Sequence, residues 1–312
     1  MVSALSVSAR AAALNPELQR WSCKAVFLGG KEKMAQEDQK KIRVLQIAGG
    51  LRANVNGKPV SGGVAAFLSN YCPKTDLNRF SYDFLALRNQ CFEQYRSNLE
   101  KMGSRLIALG IQSNGIKRTV ELIGRLHGFL VENKYDVVHI HMGSFFPVLC
   151  CAIAAKWAGV PNVIAHSHSM GAYSKTKRLF ANLCAPLLTV FADQYCACSK
   201  LAAENLFSKR IIKHNKYKII RNSIDLTRFA YREDLRAEVR KKLSLDDAFV
   251  LGHVGRFVDV KNHKFLINVF AEVKKSIPNA KLLLLGDGEL RKNIEAQISA
   301  MHLEEDVLLM GQ

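Results

Sequence analysis

The chain has no apolar run long enough to cross a bilayer. Its longest, Phe145 to Ala155 and Leu179 to Ala192, fall short of the roughly 20 residues a spanning helix needs. Asn182 and Pro186 interrupt the second, so no transmembrane helix is expected. Paired cysteine spacing is also missing. The eight cysteines lie between Cys23 and Cys198, mostly in apolar segments, with the spacing of neither a zinc site nor a secreted disulfide framework. They are expected as buried free thiols in a reducing compartment, with Cys196 and Cys198 on one face of a strand. Acidic residues are few, 27 against 45 lysines and arginines, giving a net charge of +18. That excess points to anionic company: phosphates, nucleic acid or acidic lipid headgroups. Base-stacking aromatics are scarce in the basic clusters at 175–178, 209–221 and 228–242, with only Tyr217, Phe229 and Tyr231, which argues against single-stranded nucleic acid. No helix-turn-helix or RNA-binding signature appears. No Gly-x-Gly-x-x-Gly follows a strand, which disfavours a nicotinamide dehydrogenase. Internal repeats are absent.

What is present is a globular composition, 48% hydrophobic and 23% charged over 312 residues, enough for two domains with a core each. Residues 1–40 lack periodicity and lack a secretory signal pattern. They read as a leader outside the fold, with Met34 the expected translation start. From Lys41 to Arg221, short β-rich runs alternate with helical segments: Val44–Ala48, Tyr82–Leu87, Leu106–Leu109, Val137–His141, Val163–Ala165, Tyr195–Cys198 and Lys218–Ile220. This is the pattern of a parallel sheet covered on both faces. The clearest helix is Ile116–Asn133, where Ile116, Val120, Ile123, Leu126 and Leu130 recur at three and four. Residues 222–247 read as a connection with a charged helix over Arg232–Lys242. In 248–312, strand Phe249–Val254, helix Lys264–Ser276, strand Lys281–Leu285, helix Leu290–Met301 and strand Val307–Met310 make a βαβαβ unit.

The chemistry-bearing residues gather at strand ends. Arg256 and Lys261 stand five residues apart at a strand-to-helix turn. There a planar fork and a point charge beside a helix N-terminus can clamp a diphosphate; the plain alternative is a basic surface loop. Gly286-Asp287-Gly288 follows the next strand, and Gly62-Gly63 follows the first strand and its glycine-rich loop. His139 and His141 alternate on one strand, and His166 and His168 straddle the end of the next. Four histidines in His-x-His pairs admit a metal site, but no carboxylate or cysteine lies at ligand spacing, so no metal is expected. Structural histidines on one strand face are the other reading.

In order and spacing these motifs resemble the retaining GT-B glycosyltransferases of the group 1 and family 4 type, which include capsule and exopolysaccharide enzymes. The likeness runs from Lys41 to Gln312, through the Gly62-Gly63 pair, His139-Ile140-His141, His166-Ser167-His168, Cys198-Ser199-Lys200, Asn222-Ser223-Ile224-Asp225 and Gly255 to Gly288. Serine replaces the family's usual glycine at 223. The resemblance implies two Rossmann-like domains facing a cleft: an acceptor-side domain over 41–221 and a partial donor domain over 248–312. It implies a UDP-sugar or GDP-sugar donor and a sugar or lipid-linked acceptor, and no separate cofactor. Donor-phosphate contacts would come from Gly62, Gly63, Arg256, Lys261, Gly286 and Gly288. Arg256, Lys261 and His168 would be catalytic, with His139, His141, His166 and Asn222 lining the cleft. The family's Glu-x7-Glu element lies beyond Gln312, so the second domain is expected to be truncated, and an inactive remnant is the alternative. A cytoplasmic location follows, with peripheral docking on the acidic inner membrane face.

Overall fold

A computed structural model describes residues 40–49, 62–88, 92–168, 181–227 and 229–311. Met34, Gly50, Gly57, Lys175, Lys177 and Arg178, and the leader apart from Lys40, lie outside the described residues. The chain divides into two compact units, with the change from one to the other between Ile224 and Asp225.

In the first unit, seven parallel strands run in the order β3-β2-β1-β4-β5-β6-β7. They are β1 (Ile42–Ala48), β2 (Phe80–Ala86), β3 (Leu106–Ala108), β4 (Val137–Met142), β5 (Asn162–Ser167), β6 (Gln194–Ala197) and β7 (Lys218–Ile219). Successive side chains point to opposite faces, and both faces are buried. Leu45, Ile47, Val138 and Ile140 join one core with helices α2 (Gly115–Asn133), α3 (Phe145–Trp157) and α4 (Lys200–Leu206). Val44, Ala48, Val137 and Ile164 join the other, under α1 (Gly63–Tyr71). The sheet winds in opposite directions from β1 and β4. Their carboxyl ends are therefore the topological switch point where open α/β sheets bind ligands.

Two sequence expectations change. On α2 the buried stripe is Leu122, Leu126 and Leu130, while Ile116 is 85% and Val120 68% exposed. Two residues turn a helix by about 200°, so Val120 faces away from Leu122. Cys196 and Cys198 do not share a face: β6 ends at Ala197, Cys196 lies in the α1-side core, and Cys198 packs on the other. Among the described residues no disulfide forms between Cys72, Cys150, Cys151, Cys184, Cys196 and Cys198. No helix among the described residues is long and apolar enough to cross a membrane.

The second unit holds the parallel sheet β10-β9-β8, from β8 (Phe249–Val254), β9 (Ala280–Leu285) and β10 (Val307–Gly311). Helices α6 (His263–Ser276) and α7 (Arg291–Ala300) cover one face through Ile267, Phe270, Ile294 and Ile298. The charged helix α5 (Glu233–Lys242) opens with Glu233 and Asp234 and closes with Arg240, Lys241 and Lys242, complementing its macrodipole. Its Leu235 and Val239 line a recess with Val250 and Leu283, so residues from Asp225 onward cluster with this unit.

Candidate functional site

The four sequence-selected histidines come together on the α1 side of the first sheet. Parallel register places Gln46 beside His139, and His141 beside His166, and paired residues of parallel strands share a face. His139, His141 and His166 are buried, as is Gln46, and Phe67 of α1 closes over them with its ring centroid 5.9 Å from that of His166. His166 Nδ1 meets His139 Nε2 at 3.2 Å, and His141 Nδ1 meets His168 Nε2 at 2.8 Å. Asn222 hydrogen-bonds His168. Gln46 and Phe67 escaped the sequence reading because neither belongs to a motif; their positions opposite His139 in the register and on the first helix were the available signals.

Burial first, and neighbouring imidazoles second, hold these rings neutral. His139 is pushed down to about 3, and His141 and His166 lie well below the ordinary histidine value. His168 falls to about 4, burial outweighing the opposing Asn222 bond. Neutral rings need a defined tautomer. The Gln46 amide donates through Nε2 to Cys72 Sγ and turns Oε1 to His141 Nε2 at 2.6 Å. With Gln46 Oε1 accepting, His141 donates from Nε2 and its Nδ1 accepts from His168 Nε2, while Asn222 holds His168 as well. The nitrogens of His139, His141 and His166 lie within 4.8 Å of one another, a grouping that could hold a metal. Nitrogens around a tetrahedral zinc stand about 3.3 Å apart. Coordination would require these rings to close in and give up the bonds among them, and His166 Nε2 is the buried donor atom without a partner.

His141 also borders a cavity of about 270 Å³ at the β1/β4 switch point, lined by Gly49, Gly62, Gly63, Arg88, Arg118 and Ser144 among others. Gly62 is the N-cap of α1, and a side chain on Gly63 would meet nothing within 4 Å, so the helix N-terminus opens on free space. Ser199, in the strand-end motif, caps α4 by accepting from Ala202 N at 3.1 Å.

In the second unit, Arg256 follows β8 and Lys261 ends a 3₁₀ turn, Asp259–Lys261, before α6. Asn262 is left-handed at φ 49° and caps α6, accepting from Phe265 N. The Lys261 stem lies 3.6 Å from where a Gly255 Cβ would stand, which brings the ammonium beside the Arg256 turn. Both cations are exposed, and among the described residues neither forms an ion pair. His263 beneath them is buried, and neither of its ring nitrogens has a partner.

Gly286 and Gly288 face the chain's own backbone. A Cβ on Gly286, at φ 152°, would fall 2.0 Å from Gly255 O, and one on Gly288 2.5 Å from Phe257 O. The loops after β8 and β9 are laced by Phe257 N donating to Asp287 O and Leu290 N to Phe257 O, both at 3.0 Å. Gly286→Ala is expected to cost about 3 kcal/mol or more, combining a forced φ with overpacking; the urea midpoint of the variant measures it, and an unmoved midpoint would contradict it. The expected site residues thus form two groups: His139, His141, His166, His168, Asn222, Gly62 and Gly63 in the first unit, and Arg256, Lys261, Gly286 and Gly288 in the second.

The two units thus present a parallel sheet with polar groups at its switch point and a smaller sheet with a cation pair beside a helix N-terminus. Residues 75–228 match the model of Glycosyltransferase Family 4 and residues 235–312 that of Glycosyl transferases group 1. EpsF of Bacillus subtilis, assigned by name to the glycosyltransferases, is 30% identical over 86% of this chain and 68% of its own length. A Campylobacter jejuni N-acetylgalactosaminyltransferase, named for a diphospho-undecaprenol-linked acceptor, is 36% identical over 40% of this chain and 32% of its own. Anabaena HepE, solved with UDP-glucose, superposes with a TM-score of 0.62 at 19% identity, covering 86% of this chain and 69% of HepE. The chain belongs to the glycosyltransferase family, with the GT-B type of fold, and spans about two thirds or less of these relatives' lengths.

Proposed function

We propose that the protein moves a sugar from a UDP-sugar or GDP-sugar to a sugar or lipid-linked acceptor, with retention, in cell-surface polysaccharide synthesis. The observation that carries this reading is the unpaired couple Arg256 and Lys261 beside the N-terminus of α6. Donor groups aimed at a departing diphosphate stabilise the charge it gathers as the anomeric C–O bond breaks. These protein cations take the role that a metal ion plays in other transferases. HepE is bound to UDP-glucose in its solved complex, which supports the same donor class here, and the acceptor in the Campylobacter enzyme's name supports a lipid-linked one. His168, held by His141 and Asn222, orients a sugar hydroxyl by hydrogen bonding. Docking on the acidic inner leaflet is supported by the charge of +18 and by Leu183, Leu187 and Val190, which stand exposed.

The test is thermal unfolding with and without UDP or GDP. A nucleotide at 100 times its dissociation constant stabilises the fold by about 2.7 kcal/mol. A melting temperature that neither nucleotide raises would count against the donor assignment.

A further inference from the structure

We propose that the cavity at the β1/β4 switch point is an acceptor subsite built for an anionic group, a phosphate or carboxylate, gripped by Arg88 and Arg118. The word acceptor rests on the glycosyltransferase reading above; the anion selectivity rests on the cavity itself.

The lining brings two guanidinium groups to one space and no carboxylate. Among the described residues neither arginine forms an ion pair. Arg88 donates through Nη2 to Asn114 Oδ1 at 3.0 Å and to Ser113 O at 3.4 Å, both neutral acceptors. The same turn positions its companion, because Asn114 is the N-cap of α2 and its carbonyl accepts from Arg118 N at 3.4 Å. One loop therefore sets the backbone of Arg118 and the side chain of Arg88 together. Glu121, one turn further along α2, is engaged by Arg125 at 3.2 Å and by Ser113. An uncompensated pair of half-buried cations attracts an anion more strongly than exposed ones, because water screens it less.

The neutral part of the wall fits the same ligand. The N-terminus of α1 opens into the cavity at Gly63, where its amides add partial positive charge, and His141 stays neutral there through burial. A phosphate or carboxylate would gain bidentate bonds from the arginines. Arg256 and Lys261 belong to the second unit, whereas this arginine pair lines a cavity of the first, and UDP as a reference ligand separates the two. An acceptor carrying a lipid diphosphate and one carrying an acidic sugar offer the same chemistry.

Isothermal titration of the full chain decides the matter, with geranyl diphosphate and methyl glucuronide as probes and UDP as the donor reference. Arg118→Gln is the main variant, since among the described residues its guanidinium makes no hydrogen bond on which the fold depends; Arg88→Gln is the second. The expected result is that at least one anionic probe binds and weakens tenfold or more in Arg118→Gln, while UDP affinity changes less than twofold. Tighter binding of geranyl diphosphate identifies a lipid diphosphate, and tighter binding of methyl glucuronide an acidic sugar. Absence of binding by both probes, binding unaltered by Arg118→Gln, or an equal loss for UDP would each overturn the proposal. Failure of UDP alone to bind would instead strike the donor reading and leave the anion titration readable.

Discussion

Arg256→Ala is expected to lower turnover by about 10²–10³-fold and leave the melting temperature nearly unchanged. Arg256 is exposed and makes no ion pair among the described residues, so its removal is a surface change, commonly within about 0.5 kcal/mol. Bonds that shape its loop, such as Gly255 N to Leu285 O at 2.9 Å and Phe257 N to Asp287 O, are made by backbone and survive the substitution. A cation that meets charge developing on the leaving diphosphate acts more on the transition state than on the bound donor. The loss therefore falls on kcat and kcat/KM together. Lys261→Ala behaves similarly, and the double variant loses less than the product of the two, as groups sharing one charge do. Steady-state kinetics with the donor, alongside UDP titration, measures this. Unchanged kinetics in Arg256→Ala would make the residue an ordinary surface arginine.

Acid is expected to destabilise the first unit well above the range where carboxylates titrate. A histidine whose folded pKa lies below its unfolded value of about 6.5 stays neutral in the fold while the unfolded chain takes up protons. Its contribution is complete above pH 6.5 and declines as pH falls toward the folded value, about 3 for His139 and about 4 for His168. At pH 5 each deeply buried histidine costs about 2 kcal/mol. His141 and His166, also held well below the ordinary value by burial, shift stability in the same direction, against the roughly 5–15 kcal/mol typical of a fold. Asp83, held below its usual range by Arg105 and Tyr135 against burial, contributes only in a separate window below about pH 4. Urea midpoints at pH 7.5 and pH 5.0 measure the effect. His166→Leu, which removes a ring with one nitrogen already unpartnered, should shrink the difference by one histidine's share. Equal midpoints at the two pH values would mean that these rings are open to water.

The alternation of β-rich runs and helices was legible because each element is specified by its own residues. Every expected strand exists, most bounds agree within two residues, and β8 matches throughout. The cation pair was legible for the same local reason: five residues of one turn hold both groups. Two errors show where local reasoning stops. The α2 period counted Ile116 and Val120, and only the sheet beneath decided that Leu122 turns inward. Likewise Cys196 and Cys198 were expected on one strand face, whereas β6 ends at Ala197 between them and the two pack into different cores.

By itself the sequence determined a doubly wound parallel sheet, a second smaller one, and two cations on one strand-to-helix turn, since periodicity, turn chemistry and charge act between near neighbours. Tertiary structure alone decided that Gln46 and His168 meet opposite nitrogens of His141, and that Arg88 and Arg118 share a cavity. Those outcomes depend on strand register and on the packing of separate elements, and parallel strands acquire register only through the helices that cross between them.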